Sequence, residues 1–299
     1  MSTVCLALIV SVSGLAILPE LLHPSTFFDK NPRAGLVVWV TIGTMGWLSA
    51  ITFFLAVGLG TSGGSLLSTL VEFIRHFGDG HPLRGLGVSE VVGLSVAFDI
   101  TALLVGGVIV ATFKIWKLRH QQRTVLDLVA SNETVEGNVT VLDHVQPLAY
   151  FLPGDGGRVV LSTGALEVLT ANEVGAVIFH EHGHRHGRHG ALLVPLQALS
   201  PFVSFLPLAR HAPSVIRTYL EMAADDFARQ RGDSVALRSA LEKSPLFHQP
   251  PLGALGMHDV VERRIQRLTS RAVPVLELAT LVLCLGGGAS LLWTMFLIR

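Results

Sequence analysis

Uncharged blocks alternate along this chain with short polar stretches, and the blocks have the length of membrane helices. A bilayer core of about 30 Å needs about 20 apolar residues of helix. The pattern predicts spans at about 2–19, 35–60, 90–113 and 273–298, with Asp99 inside the third and Glu277 near the start of the fourth. The first block also has the length of a signal peptide. It lacks a preceding Lys or Arg and an A-x-A cleavage site, so a retained span is expected. A fifth uncharged block, 190–209, is interrupted by Pro195, Pro201 and Pro207. Between 114 and 272 the pattern turns polar. Arg158–Ser162, β-branched and flanked by Gly156, Gly157 and Gly164, predicts a short strand. A helix is predicted over 172–187, with Val174, Val177 and Ile178 on its apolar face. Further helices are expected around Tyr219–Ala228, at 234–243 and at 258–270, with a Pro-rich loop at 245–253.

Composition sharpens this picture. Half of the 299 residues are hydrophobic and 15% are charged, against about 25% charged in an ordinary soluble domain. The 22 basic and 22 acidic residues cancel, which removes the electrostatic case for nucleic-acid binding. Cys5 and Cys284 lie in apolar stretches and cannot found a disulfide framework or a thiolate zinc site. Lys114, Lys117, Arg119 and Arg123 follow the third span, and Arg263, Arg264, Arg267 and Arg271 precede the fourth. The positive-inside rule places both flanks in the cytoplasm. The expected fold class is therefore an α-helical polytopic membrane protein. It has four transmembrane helices (three within 1–113, the fourth within 273–299), both termini outside, and a mainly helical cytoplasmic domain at 114–272 with a short strand element.

That domain contains His180-Glu181-His182-Gly183-His184, an H-E-x-x-H sequence. On a helix, positions i and i+4 differ by about 40° in azimuth, so His180 and His184 present adjacent imidazoles that can hold one zinc ion. Zinc in that place polarises a scissile carbonyl and acidifies water, and Glu181 can take the water's proton and return it to the leaving amine. His182, His186 and His189 make the stretch histidine-rich, so a metal-scavenging surface tract is the competing reading. A third ligand decides between them. In the extended pattern H-E-x-x-H-x-x-G-x-x-H, Gly187 fits but Gly190 stands at the last histidine position. His189 is one residue early, about 100° away on a helix, and is set aside as a ligand. Glu221 and Asp225 form E-x-x-x-D on the next predicted helix. Glu221 can complete the triad, and Asp225 can fix the tautomer of a ligand histidine.

These residues resemble those of the BlaR/MecR-type family of membrane-embedded zinc metallopeptidases, a gluzincin family. Pro147–Gly154, Arg158–Leu166, Glu173-Val174 and the motif follow that family's order, and Arg188-His189 resembles the basic pair of its actinobacterial-type branch. The resemblance implies a zinc metalloendopeptidase with His180, His184 and Glu221 as ligands of one Zn2+ per chain, Glu181 catalytic and Asp225 behind the ligands. It also implies that the strand Arg158–Ser162 edges the cleft and pairs with substrate backbone. The expected substrate is a protein or peptide, such as a cytoplasmic transcriptional repressor or the protein itself. The expected setting is the bilayer of a bacterial plasma membrane, compatible with a homo-oligomer. Penicillin-sensing members carry an extracellular domain after the last span, whereas here Arg299 follows span 273–298, so a member without that sensor is expected.

If 190–209 crossed the bilayer once, His184 and Glu221 would face opposite sides. A proline-broken segment lying on or dipping into the membrane is therefore expected. The residues admit a different function class, a zinc-handling membrane protein or metal transporter using the histidine cluster together with Asp99 and Glu90. Asp99 otherwise reads as a carboxyl facing the helix bundle. His76 and His81, in the loop at 61–87, are ordinary surface histidines on the same reading. The basic residues of 258–270 read as topology determinants that can also pair with lipid headgroups.

Overall fold

The computed structural model describes residues 3–59, 71, 74–75, 78–80, 86–129, 134–135, 139–152, 157–189, 192–193, 200, 202–246 and 257–269. The expected fourth span, residues 76 and 81 and most of 190–199 lie outside them.

Three described segments are long and apolar enough to cross a membrane: Val4–Leu22, Pro32–Gly58 and Val88–Thr124. The first is not uniform. Helix α1 (Thr3–Val12) passes through a π-helical turn, Ser13–Ile17, into α2 (Leu18–Leu22). Pro19 explains the change, because its ring has no N–H to donate and crowds the carbonyl four residues back. Helix α3 (Pro32–Gly58) starts on Asn31, whose side chain accepts from the Ala34 N–H, with Pro32 in the first turn. Glycine lets these helices meet. A Cβ on Gly14 would stand 2.9 Å from the Gly46 Cα, and one on Gly93 2.8 Å from the Gly58 Cα. Helix α4 (Val88–Val129) is longer than a membrane requires, at about 63 Å from its 42 residues. Its far end therefore leads directly into the polar domain.

That domain opens with a four-stranded sheet: β1 (Thr134–Val135), β2 (Val139–Leu142), β3 (Ala149–Leu152) and β4 (Arg158–Ser162), in the order β1-β2-β4-β3. β4 is the strand expected from the sequence. It is parallel to β2 on one side and antiparallel to β3 on the other, so it is internal and cannot pair with a substrate. The expectation that Arg158–Ser162 edges the cleft is corrected: the outer strand is β3. After the short helix α5 (Thr163–Val168), helix α6 (Ala171–His186) begins with a full capping box between Thr170 and Glu173. Val174, Val177 and Ile178 pack against Val139, Val159 and Leu161 of the sheet, as the apolar spacing predicted.

Helix α7 (Pro207–Arg231) follows, then α8 (Ser234–Lys243) and α9 (Met257–Leu268). The largest core joins the polar domain to the apolar helices. Leu208, Ala212, Ile216, Tyr219 and Leu220 of α7 share it with Leu15, Ala34, Trp39 and Ala50. Leu193 and Leu206, within the block 190–209, pack against the same cluster and Val203 is buried. The described part of that block thus lies beside the apolar helices.

Candidate metal centre

Two helices build the site. Helix α6 carries His180, Glu181 and His184, and α7 carries Glu221 and Asp225. Gly183 controls how closely they approach: a Cβ there would stand 2.9 Å from the Ala224 Cα and 3.1 Å from its carbonyl oxygen. With only hydrogen at that position the helices close on one another, and side chains distant in sequence meet.

His180 Nε2 lies 3.1 Å from His184 Nε2 and 3.3 Å from Glu221 Oε2, and His184 Nε2 lies 3.5 Å from Glu221 Oε1. Ligand atoms about 2.1 Å from a tetrahedral zinc ion stand about 3.4 Å apart. The three donors already have that spacing, and nitrogen, nitrogen and carboxylate oxygen suit zinc. The residues therefore fit the metal. Behind them, Asp225 Oδ1 is 2.9 Å from His180 Nδ1, and Asp225 is fully buried. The sequence-predicted residues His180, His184, Glu221 and Asp225 are thus brought together. Glu181 sits half-buried on α6 beside them, and its carboxylate makes no hydrogen bond among the described residues.

Two residues at the site were not anticipated. Arg264, on α9, reaches both oxygens of Asp225 at 2.8 Å and Glu221 Oε2 at 3.2 Å. It is buried. A basic amphipathic helix read from sequence points to lipid or topology. Instead, Arg263 is paired with Asp29 and Arg267 with Asp226, so these three side chains are committed to carboxylates of the chain and not to the lipid headgroups that the sequence also allowed. The available signal was the match between an arginine-rich helix and the Glu221–Asp225–Asp226 cluster. The second residue is His189, whose Nδ1 lies 2.9 Å from His184 Nδ1. Rejecting it as a ligand assumed that the helix continues. In fact α6 ends at His186, and Arg188 takes a left-handed conformation (φ 48°), which costs a non-glycine residue about 1 kcal/mol or more. The reversed chain returns the buried His189 ring to the outer nitrogen of His184. His182 and His186 take no part in the cluster; His186 is exposed, its ring packed on Phe227.

The electrostatics favour a cation between the carboxylates. Burial pushes the Asp225 carboxyl up, but Arg264 and then His180 outweigh it and hold it well below its ordinary value. For Glu221, His184 and Arg264 likewise outweigh burial. Burial opposes a proton on His180, yet the hydrogen bonds to Asp225 and Glu221 raise it to about 10. The same field would favour a dication bound to the neutral imidazoles. His189 is held down to about 4, by burial first and then by His184. A neutral His189 can accept a hydrogen bond from the N–H that His184 carries on Nδ1 when its Nε2 is a ligand.

The two acids required by the transport reading are on α4. Asp99 is exposed, with the expected fourth span outside the described residues, and Glu90 accepts a hydrogen bond from Ser89. Neither belongs to the metal-competent group.

The family model of peptidase family M48 matches residues 116–214. The match takes in β1 to β4 and the H-E-x-x-H helix, covers less than half of the chain and stops before Glu221. M48 peptidases are metal-dependent hydrolases, usually with zinc. Comparison with curated proteins and with solved structures returns no match.

Proposed function

We propose that this protein is a membrane-embedded zinc metalloendopeptidase. The reading is carried by the spacing of His180 Nε2, His184 Nε2 and Glu221, which are 3.1–3.5 Å apart around one point with Asp225 behind them. His180, His184 and Glu221 would hold the ion, which when bound supplies a Lewis acid that polarises a carbonyl and acidifies water. Glu181, whose carboxylate makes no hydrogen bond among the described residues, removes a proton from the attacking water and delivers it to the leaving amine. Asp225 and His189 orient the two imidazoles, and Arg264 keeps Glu221 and Asp225 ionised and in place. The outer strand β3 accepts an extended substrate backbone by strand addition.

On this reading the site faces the cytoplasm at a bacterial plasma membrane; the positive flanks support that orientation, and the core shared with α3 supports a position close to the membrane. The proposed substrate is a membrane-proximal protein, either a cytoplasmic regulator or the protein itself. With the BlaR/MecR-type resemblance, it points to a role in signalling.

The test is to purify the full chain in detergent, count bound zinc and follow cleavage of casein and of the chain itself. Wild type should hold zinc at the cluster and cleave. Glu181→Ala should keep that zinc and not cleave, and Glu221→Ala should bind it weakly. Full activity in Glu181→Ala overturns the proposal.

A further inference from the structure

A second group of metal-ligating side chains lies outside the site described above, where the end of the first apolar segment meets the start of α7. Glu20 is in α2, His23 directly follows it, and His211 is in the second turn of α7. One ligand atom from each can be chosen so that all lie within 4.8 Å of one another. Glu20 Oε2 and His211 Nε2 are 3.4 Å apart, the spacing of two ligands on a tetrahedral zinc ion, about 3.4 Å. The His23 and His211 rings are stacked, with centroids 4.0 Å apart and planes inclined by 23°.

A further observation points to a ligand. The His211 side chain is only 15% exposed, and its enclosed Nε2 makes no hydrogen bond, with the Glu20 carboxylate facing it at 3.4 Å. A buried ring nitrogen that makes no hydrogen bond costs free energy that an ion bound between it and the carboxylate would recover. Glu20 lies at the end of the segment Val4–Leu22, with its side chain 47% exposed, so the carboxylate is open to an incoming ion. Arg210 Nη1 lies 3.7 Å from Glu20 Oε1. It partly neutralises the carboxylate through that oxygen and leaves Oε2 to face His211.

We propose that Glu20, His23 and His211 bind a divalent transition-metal ion, with water completing the coordination. Two imidazoles and one carboxylate, without thiolate, select zinc, cobalt or nickel over magnesium or calcium. The ion fastens the first membrane helix to α7. His211 and Glu221 are ten residues apart on that helix, about 15 Å by helical rise, so this site is separate from the catalytic one and fixes the helix that carries Glu221 and Asp225.

The experiment uses the full chain in detergent, equilibrated with buffered Zn2+ and then, in parallel, with Co2+ as an optical probe. His180→Ala/His184→Ala, which lacks the catalytic ligands, should still bind one ion per chain. Adding Glu20→Gln or His23→Ala to that background should weaken binding at least 10-fold. In otherwise wild-type protein, each of Glu20→Gln, His23→Ala and His211→Asn should lower the zinc count from two to one. If His211→Asn does not fold, the exposed Glu20 and His23 decide the matter. The proposal is overturned if His180→Ala/His184→Ala binds no ion at micromolar free zinc, or if its ion is indifferent to Glu20→Gln and His23→Ala. The ion retained by His180→Ala/His184→Ala does not depend on the catalytic ligands, so the failure of either proposal is seen separately.

Discussion

At the residue scale, the centre is a set of atoms whose positions depend on partners one layer out. His180 is backed by Asp225, His184 by His189, and both carboxylates by Arg264. Removing Glu181 is expected to lower peptidase turnover by 10²-fold or more while zinc content stays constant, measured by casein cleavage beside metal analysis. His189→Ala removes the acceptor that orients His184 and is expected to weaken zinc binding about 10- to 100-fold. His189→Asn, which keeps an acceptor, should recover part of the loss in a chelator competition. Arg264→Met strands the fully buried Asp225 carboxylate, a change expected to cost about 3–5 kcal/mol in chemical denaturation.

At the element scale, the decisive contact is α6 against α7 at Gly183. A side chain there must push the helices apart or distort them. Gly183→Val is expected to retain helical content by circular dichroism but lose zinc, because His180 and His184 withdraw from Glu221. The start of α6 is fixed separately. Glu173 closes the capping box, accepts from Ser239 Oγ at 2.5 Å and pairs with Lys243 Nζ at 2.6 Å, which joins α6 to α8. Lys243 first, then Ser239, hold its carboxyl at about 2, against an ordinary 4.5. A depressed folded value means that this stabilisation is complete above about pH 5 and is lost as pH falls towards 2. Glu173→Gln should remove that part of the acid dependence and cost about 2 kcal/mol at neutral pH, measured by denaturation across pH.

At the scale of the whole molecule, the polar domain and the apolar helices share structure. Leu208, Ala212, Ile216 and Tyr219 pack on Ala34 and Trp39. Arg263 and Arg267 reach back to Asp29, in the turn between the first two apolar segments. A fragment of residues 114–272 would therefore expose an apolar face of α7 and lose partners of α9. It is expected to aggregate or to bind zinc far more weakly than the full chain, as judged by size-exclusion chromatography and metal content. A monodisperse, zinc-replete fragment would contradict this.

What the sequence determined by itself is what local chemistry encodes. Apolar block length defines three described membrane-length helices. The capping residues and Val174, Val177 and Ile178 define α6. H-E-x-x-H puts two imidazoles on one turn, and E-x-x-x-D supplies a carboxylate and its neighbour on another helix. Spacing within one helix fixes such relations, because 3.6 residues per turn leaves little freedom. The tertiary structure alone decided whatever depends on chain reversal or on helices meeting. Arg158–Ser162 is an internal strand because β2 and β3 flank it, a pairing that no periodicity in the strand specifies. His189 reaches His184 because Arg188 turns the chain back, which helical spacing does not anticipate. The arginines of α9 meet Asp29, Asp225 and Asp226 because helices far apart in sequence pack together. Glu20, His23 and His211 come together for the same reason: nearly 190 residues separate them along the chain, and only the packing of α7 on the first membrane helix sets their distance.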